Sequence, residues 1–332
     1  MRSSFQLANT LIPFALLWIA MLWSLDVSYW LTLALAVPAS GLLIRLFIIQ
    51  HDCGHGSFFP RQAVNNWIGS MIGVLTLTPY EYWRRTHAIH HATSGNLSHR
   101  DFGEVTTLTV KEYQALTPLR RFLYRLYRNP IVMFGIGPAY QFILKHRIPW
   151  DMPRSWRREW RSVALTNAAL IALCVLASQT IGWMNLLKIQ LPITLLSGTL
   201  GVWLFYIQHQ YEDTYWRLDP EWSYYEAGLR GSSYYDLPRI LNWFTGNIGV
   251  HHVHHLCSRI PNYRLLRCLH ENPILQTATR LTIKDSIRCT RLKLWDEDAR
   301  KLVGFAEARS VPAHSPETPR PNATRVSAGL TA

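Results

Sequence analysis

The chain has 332 residues and a net charge of +13, and 48% of its residues are hydrophobic. The apolar residues are bunched into long runs flanked by basic residues, which argues against a soluble core and indicates contacts with anionic lipid headgroups rather than with nucleic acid. Five cysteines, an odd number without any CxxC spacing, exclude a disulfide framework and a zinc ribbon.

Four apolar segments approach the roughly 20 residues that a membrane helix requires. The predicted spans are residues 11–25, 29–50, 163–183 and 186–208. The first segment lacks a small-residue cleavage site, so we interpret it as a retained helix and not as a signal peptide. Each pair of spans is joined by a few weakly charged residues and forms a hairpin. The segments between and after the hairpins then share one face, which we expect to be cytoplasmic in a bacterial inner membrane.

The predicted fold class is an all-α integral membrane protein with four transmembrane helices in two hairpins and a cytoplasmic helical cap. Residues 1–305 are expected to form this membrane domain. Two shorter apolar stretches, 67–79 and 131–144, contain glycine and proline and favour interfacial or re-entrant helices. Residues 306–332 are rich in Ser, Pro, Ala, Thr and Arg and predict a disordered cytoplasmic tail.

Nine of the fourteen histidines fall into three short clusters: HDCGH at 51–55, HAIHH at 87–91 and HHVHH at 251–255. Residues three or four apart on a helix project from one face, so each cluster can direct its imidazoles toward a common centre. His252 falls outside the arc that its neighbours share, and we assign it a supporting or structural role. His209 ends the fourth predicted span at the same boundary, where it is either a polar anchor or a further ligand.

The number of imidazoles predicts a site for two metal ions, because eight or nine are too many for one tetrahedral zinc. Imidazole also binds zinc, copper and nickel, so we choose iron on redox grounds: neutral ligands leave a high positive charge that favours O2-dependent oxidation. The candidate ligands are His51, His55, His87, His90, His91, His209, His251, His254 and His255. Nearby carboxylates that could accept the second N–H of a ligating imidazole, or could simply be solvated, are Asp52, Glu212 and Asp213.

The amino-acid sequences of the three clusters resemble those of a known family. HDCGHGSFF at 51–59, HAIHHATSGN at 87–96 and GNIGVHHVHHLCSRIPNY at 246–263 are similar to the three histidine boxes of membrane-bound fatty acid desaturases, in the acyl-lipid branch that includes Δ12 or ω-6 enzymes. Stretches at 125–138, 201–216 and 231–249 look like the bacterial members. The resemblance implies two irons held by the eight box histidines, with His209 at the position of an additional histidine of the family.

The resemblance also implies a reaction. Two vicinal hydrogens are removed from an acyl chain to give a cis double bond, and O2 is reduced to water with two electrons from an outside donor. The sequence has no flavin, nicotinamide or haem-attachment motif, so we expect a ferredoxin, flavodoxin or cytochrome as donor and a membrane lipid or another acyl carrier as substrate. Residues 96–100 depart from the family's usual wording. We favour Δ12 or ω-6 action, with Δ5 and Δ9 as close alternatives.

Two other functions remain open at this stage. Histidine-box hydroxylases and ketolases that act on carotenoids or alkanes share the metal site but insert oxygen, and the wording of the first and third boxes favours desaturation over them. A membrane metal or lipid sensor that kept the fold is the non-enzymatic alternative. The complete set of box histidines argues against a sensor.

Overall fold

The computed structural model describes residues 1–100 and 103–309. The first helices in chain order are α1 (Arg2–Ser24), α2 (Tyr29–Gly54), α3 (Gln62–Leu75), α4 (Tyr80–Thr93), α5 (Val110–Ala115), α6 (Pro118–Tyr127) and α7 (Gly137–Ala139). The others are α8 (Arg157–Thr180), α9 (Trp183–His209), α10 (Tyr224–Arg230), α11 (Arg239–Phe244), α12 (His251–Leu256), α13 (Asn262–Glu271) and α14 (Ile283–Cys289). Turns of π-helix at Val132–Ile136 and Tyr140–Lys145 flank α7, and 3₁₀ turns form at Pro273–Thr277 and Glu307–Arg309.

Four of the described helices, α1, α2, α8 and α9, are long and apolar enough to cross a membrane. Their bounds differ from the predicted spans because hydropathy marks the apolar stretch, whereas the helical hydrogen bonds continue into polar residues at both ends. α1 begins at Arg2 and α8 at Arg157, before the apolar runs, and α2 continues to Gly54. Between α8 and α9, Gly182 adopts φ +84°, which breaks the helix earlier than predicted.

α2 is the central helix of the bundle and packs against α1, α3 and α9. In α2, 61% of the most apolar 18-residue stretch is buried, against 11% in α8. α8 instead exposes apolar side chains such as Leu165 and Ile171, as expected of a surface that faces lipid. α2 and α9 pack together, and each carries a histidine in its last turn, so their C-terminal ends bring His51 and His209 to the same end of the bundle.

Tyr80 fixes the start of α4 against α2 and α3. Its hydroxyl donates a hydrogen bond to the carbonyl oxygen of Cys53 over 2.8 Å. Its ring lies on Gly69 of α3, where a Cβ atom would come within 2.3 Å of a ring carbon. The absence of a side chain at Gly69 therefore sets the approach of α4, which carries the second histidine cluster.

Replacing Gly69 by alanine is expected to destabilise the protein by about 1–3 kcal/mol, because the Tyr80 ring must move or the helices must separate. Thermal unfolding in detergent measures this loss. Gly201→Ala is the matched control, since a Cβ at Gly201 of α9 meets nothing within 4 Å. An equal melting temperature for the two variants would contradict the packing described here.

Two small sheets correct the expectation of an all-α chain. Strands β1 (Leu108–Thr109), β2 (Tyr234–Tyr235), β3 (Arg280–Leu281), β4 (Leu294–Asp296) and β5 (Lys301–Val303) form them. One sheet has the order β1-β4-β5, with β1 and β4 parallel and β4 and β5 antiparallel, and the other pairs β2 with β3 in parallel. Strands of two or three residues are too short to produce an alternating hydrophobic pattern.

The C-terminal part of the described chain belongs to the folded body. Ala308 is buried in a cluster with Val110, Leu294 and Val303, which joins the last 3₁₀ turn to the first sheet. The first residues of the predicted tail, which begins at residue 306, thus include this turn. Residues 310–332, which carry the rest of that prediction, lie outside the described residues.

Candidate metal centre

The nine histidines predicted as ligands converge on one site at the end of the bundle. They come from four places in the fold: the end of α2, the middle and end of α4, the last residue of α9, and α12. They form two groups in which one ring nitrogen from each histidine lies within 4.8 Å of those of the other members. The first group is His51, His55, His87, His91 and His254, and the second is His90, His209, His251 and His255.

The second and third clusters are each divided between the two groups. On α4, His87 and His91 join the first group while His90 joins the second, and on α12 His254 is separated in the same way from His251 and His255. Neighbouring helical residues project about 100° apart. α4 and α12 therefore each contribute to both groups, which corrects the expectation that each cluster points at a single centre.

Within each group, Nε2 atoms approach each other at the spacing expected of two ligands that share one metal ion. The close Nε2–Nε2 pairs are His87–His91 at 3.1 Å, His91–His254 at 3.0 Å, His90–His209 at 3.2 Å, His209–His251 at 3.1 Å and His251–His255 at 3.1 Å. Two nitrogens bound at right angles to one ion at about 2.1 Å would be ~3.0 Å apart. The donor set fits one cation in each group.

The chemistry of the imidazoles agrees with this geometry. Nε2 of His51 and Nε2 of His55 are buried and have no hydrogen-bond partner among the described residues. Burial lowers the pKa of His254 and of His255 well below the ordinary histidine value, because a charged ring would lose its hydration. Neutral imidazoles with free Nε2 lone pairs are the form that binds metal ions.

Comparison with known proteins identifies the family. The family model described as fatty acid desaturase matches residues 27–275. The chain belongs to the fatty acid desaturase family. The resemblance drawn from the three histidine boxes is thereby confirmed, and so is the enzyme class, since fatty acid desaturases are oxidoreductases. The match favours desaturation over the hydroxylase, ketolase and sensor alternatives.

Alignments with individual relatives cover most of this desaturase. A fatty acid desaturase of Bacillus subtilis (strain 168) is 46% identical over 95% of the chain and 89% of that relative. An sn-1 acyl-lipid omega-3 desaturase (ferredoxin) of Synechocystis sp. is 30% identical over 68% of the chain and 63% of that relative. A chloroplastic omega-6 fatty acid desaturase of Arabidopsis thaliana is 26% identical over 74% of the chain and 54% of that relative.

Asp52 lies beside the first histidine group, where the sequence predicted it. Its Oδ1 is 3.2 Å from Nδ1 of His51. Its Oδ2 accepts hydrogen bonds from the backbone N–H of Asn262 over 2.7 Å and from the Asn262 side-chain amide over 2.8 Å. The carboxylate therefore links a histidine of α2 to the first residue of α13.

Asp52→Asn is expected to reduce desaturation about tenfold, because a partner that orients a ligating imidazole is lost. The same change weakens the Asn262 hydrogen bonds and lowers stability by about 1–3 kcal/mol. Product formation and thermal unfolding measure the two effects. Asp213→Asn, at an exposed carboxylate in the desaturase, is the control and should leave both unchanged. Wild-type activity in Asp52→Asn would contradict the assignment.

Glu104 lies beside the second histidine group, and the sequence did not predict this contact. Its Oε1 lies 3.7 Å from Nδ1 of His90, and both side chains are buried. Burial raises the pKa of Glu104 to about 8. The residue lies in the loop after α4, fourteen positions beyond His90, and no spacing pattern connects the two. On the other side of this group, the carbonyl oxygen of Gly231 lies 3.1 Å from Nδ1 of His209.

Glu212, Asp213 and His252 do not reach either histidine group. The Glu212 side chain is 57% exposed and pairs with Lys301 over 3.0 Å, and Asp213 is exposed. For both acids this favours the solvated alternative over contact with a ligating imidazole: α9 ends at His209, and the chain then turns toward the surface. His252 is buried outside both groups, against the backbone of Ser233 and Leu275, which agrees with a structural role.

Proposed function

We propose that this desaturase is a di-iron, O2-dependent enzyme that introduces a cis double bond into an acyl chain of a membrane lipid. The observation that carries the proposal is the pair of converging histidine groups, five imidazoles in one and four in the other, beside helices of membrane-spanning length. This donor set fits two cations better than one tetrahedral ion.

The proposed ligands are the nine histidines of the two groups, bound through Nε2. When bound there, two iron ions would supply the redox chemistry that reduces O2 to water. Asp52 and the carbonyl oxygen of Gly231 would hold the Nδ1 protons of His51 and His209, and Glu104 would orient His90. Burial of the second group would exclude bulk water from the reacting centre.

The overall reaction balances with one O2 for each double bond. Two neighbouring CH2 groups each lose one hydrogen, which releases two electrons and two protons in total. The outside donor supplies two more electrons, and solvent supplies two more protons. These four electrons and four protons convert O2 into two water molecules.

The membrane arrangement is part of the proposal. α1 with α2 and α8 with α9 would form two transmembrane hairpins of one membrane domain, residues 1–305, with residues 306–332 as a tail. The histidine groups would then face the cytoplasm of a bacterial cell. Arginines in the segment that joins the two hairpins, among them Arg84, Arg85 and Arg157 at the start of α8, favour this orientation by the positive-inside rule.

The names of the relatives support a class of substrate and a class of donor. The Synechocystis relative is named as an acyl-lipid desaturase and as ferredoxin-dependent, which favours a membrane lipid substrate and a ferredoxin donor here. The sequence favours Δ12 or ω-6 action. The relatives include both omega-3 and omega-6 enzymes, so their names do not distinguish between bond positions. Analysis of the product is needed to locate the double bond.

The test is expression in a bacterium that makes no polyunsaturated lipids, followed by mass spectrometry of fatty acids with bond-localising derivatives. A new double bond that is missing with His90→Ala supports the proposal and gives its position, Δ12, ω-6 or another. Hydroxylated or keto products would overturn desaturation. Unchanged lipids in cells that contain the metal-loaded protein and a reduced ferredoxin would overturn catalysis.

A further inference from the structure

A cavity of about 290 Å³ opens beside the first histidine group. Its lining includes three arginines, Arg84, Arg85 and Arg158. It also includes His55 and His87. Among the nine histidines of the two groups, these two are the ones that are not fully buried. A partner seated at this cavity would therefore contact two histidines of the first group.

The acidic residues of this cavity are neutralised by its arginines. Glu81 pairs with Arg84 over 3.0 Å and with Arg158 over 2.7 Å. Glu159 is largely buried and pairs with Arg85 over 3.1 Å. Arg85 and Arg158 keep about half of their side-chain surface exposed, 47% and 51%.

The surface next to the cavity adds more positive charge. Arg154, Arg157 and Arg161 are all exposed in the same part of the chain, just before and within the first turns of α8. The arginine rim is here the three lining arginines together with these three exposed arginines, which lie within four residues of Arg158 in the sequence. Its charge is positive, because the two carboxylates of the cavity are already paired. A complementary partner would carry clustered negative charge.

Trp83 connects this basic surface to the metal centre. Its ring lines the cavity and stacks on the His87 ring, with a centroid distance of 4.6 Å and an angle of 17° between the planes. On its other side Trp83 contacts His51 at 5.6 Å and Phe47 at 5.4 Å. One conjugated side chain thus bridges the cavity and two histidines of the first group.

We propose that this cavity and its arginine rim form the docking site for the electron donor, a small acidic protein that carries one electron at a time. This inference rests on the proposed function. Two reduced donors dock in succession and each loses one electron, which supplies the two electrons that the acyl chain does not provide. An anionic lipid headgroup would also suit the arginines. The donor fits better because it must approach the metal ions closely, and this is where two of their ligands reach the surface.

The experiment compares variants of the full-length enzyme in nanodiscs, with reduced [2Fe–2S] ferredoxin as the varied substrate. The first variant, Arg85→Gln/Arg158→Gln, removes two charges at the cavity mouth. The second variant, Arg154→Glu/Arg157→Glu, reverses two exposed charges that have no ion pair among the described residues. Because it breaks no ion pair, it still tests the docking site if the first variant folds poorly. The control is Arg267→Gln on α13, another exposed arginine in an ion pair.

Both variants should raise the KM for ferredoxin about tenfold at low salt, with kcat and iron content unchanged, and the difference should shrink as salt is added. Arg267→Gln should keep the wild-type KM. Wild-type KM values in both variants would overturn the docking site. A defect that follows the anionic lipid content of the nanodiscs, and not the ferredoxin concentration, would assign the arginines to headgroups. Failure of the proposed function is distinguishable, because the wild type would then form no product with any donor.

Discussion

Alanine at His254 is expected to abolish desaturation and to remove one bound iron, and alanine at the adjacent His255 is expected to remove the other. Nε2 of His254 lies 3.0 Å from Nε2 of His91 in the first group, whereas Nε2 of His255 lies 3.1 Å from Nε2 of His251 in the second. Each substitution leaves the other group complete. Activity should fall at least ~100-fold in both, since a ligand contributes more than the residues that orient it.

Metal analysis per chain and product formation measure these losses. The control is His252→Asn, at a neighbouring histidine of α12 that belongs to neither group. It should keep both irons and measurable activity, although replacement of this buried ring lowers stability. Full iron content in either alanine variant would contradict the assignment of these ligands. Loss of all metal in the His252 variant would show that helix disruption alone explains the alanine results.

Glu104→Gln is expected to weaken iron binding in the second group by about 10- to 100-fold. Two cations bound at the histidine groups would favour the ionised form of this buried carboxyl. Glutamine keeps the shape of the side chain but cannot provide that carboxylate, 3.7 Å from Nδ1 of His90. A neutral amide would orient the imidazole less firmly and make it a poorer electron donor to the ion. Iron titration of the apoprotein, together with the optical spectrum of the loaded site, measures the change separately from turnover.

The control for this experiment is Glu212→Gln, the same substitution at an exposed carboxylate beyond the end of α9. It should leave the iron affinity and the spectrum unchanged. Equal iron affinities for Glu104→Gln and the wild type would show that Glu104 has only a packing role.

The ligand-rich segments could be predicted from the sequence because they are local patterns. Histidines spaced by three or four residues, such as His51 and His55, are recognisable without any knowledge of packing. The assignment of His87 to the first group and of His90 to the second was not predictable from the sequence. It depends on where the helix lies relative to two centres, and tertiary packing decides that position.

Contacts between distant parts of the chain account for the other differences. Glu104 approaches His90 from a loop, without a spacing signal, whereas Glu212 is close to His209 in sequence but points away beyond the end of α9. The strands near residues 108 and 294 pair across most of the chain length. Hydropathy located the four long helices but not their polar ends, which include Arg2 and Arg157.

The number and identity of the metal ions in the purified wild-type enzyme test the central claim most directly. We expect two irons per chain, with Mössbauer parameters typical of nitrogen-rich coordination, since two separate histidine groups are available. A single ion per chain, or zinc as the main metal in an active preparation, would contradict the account.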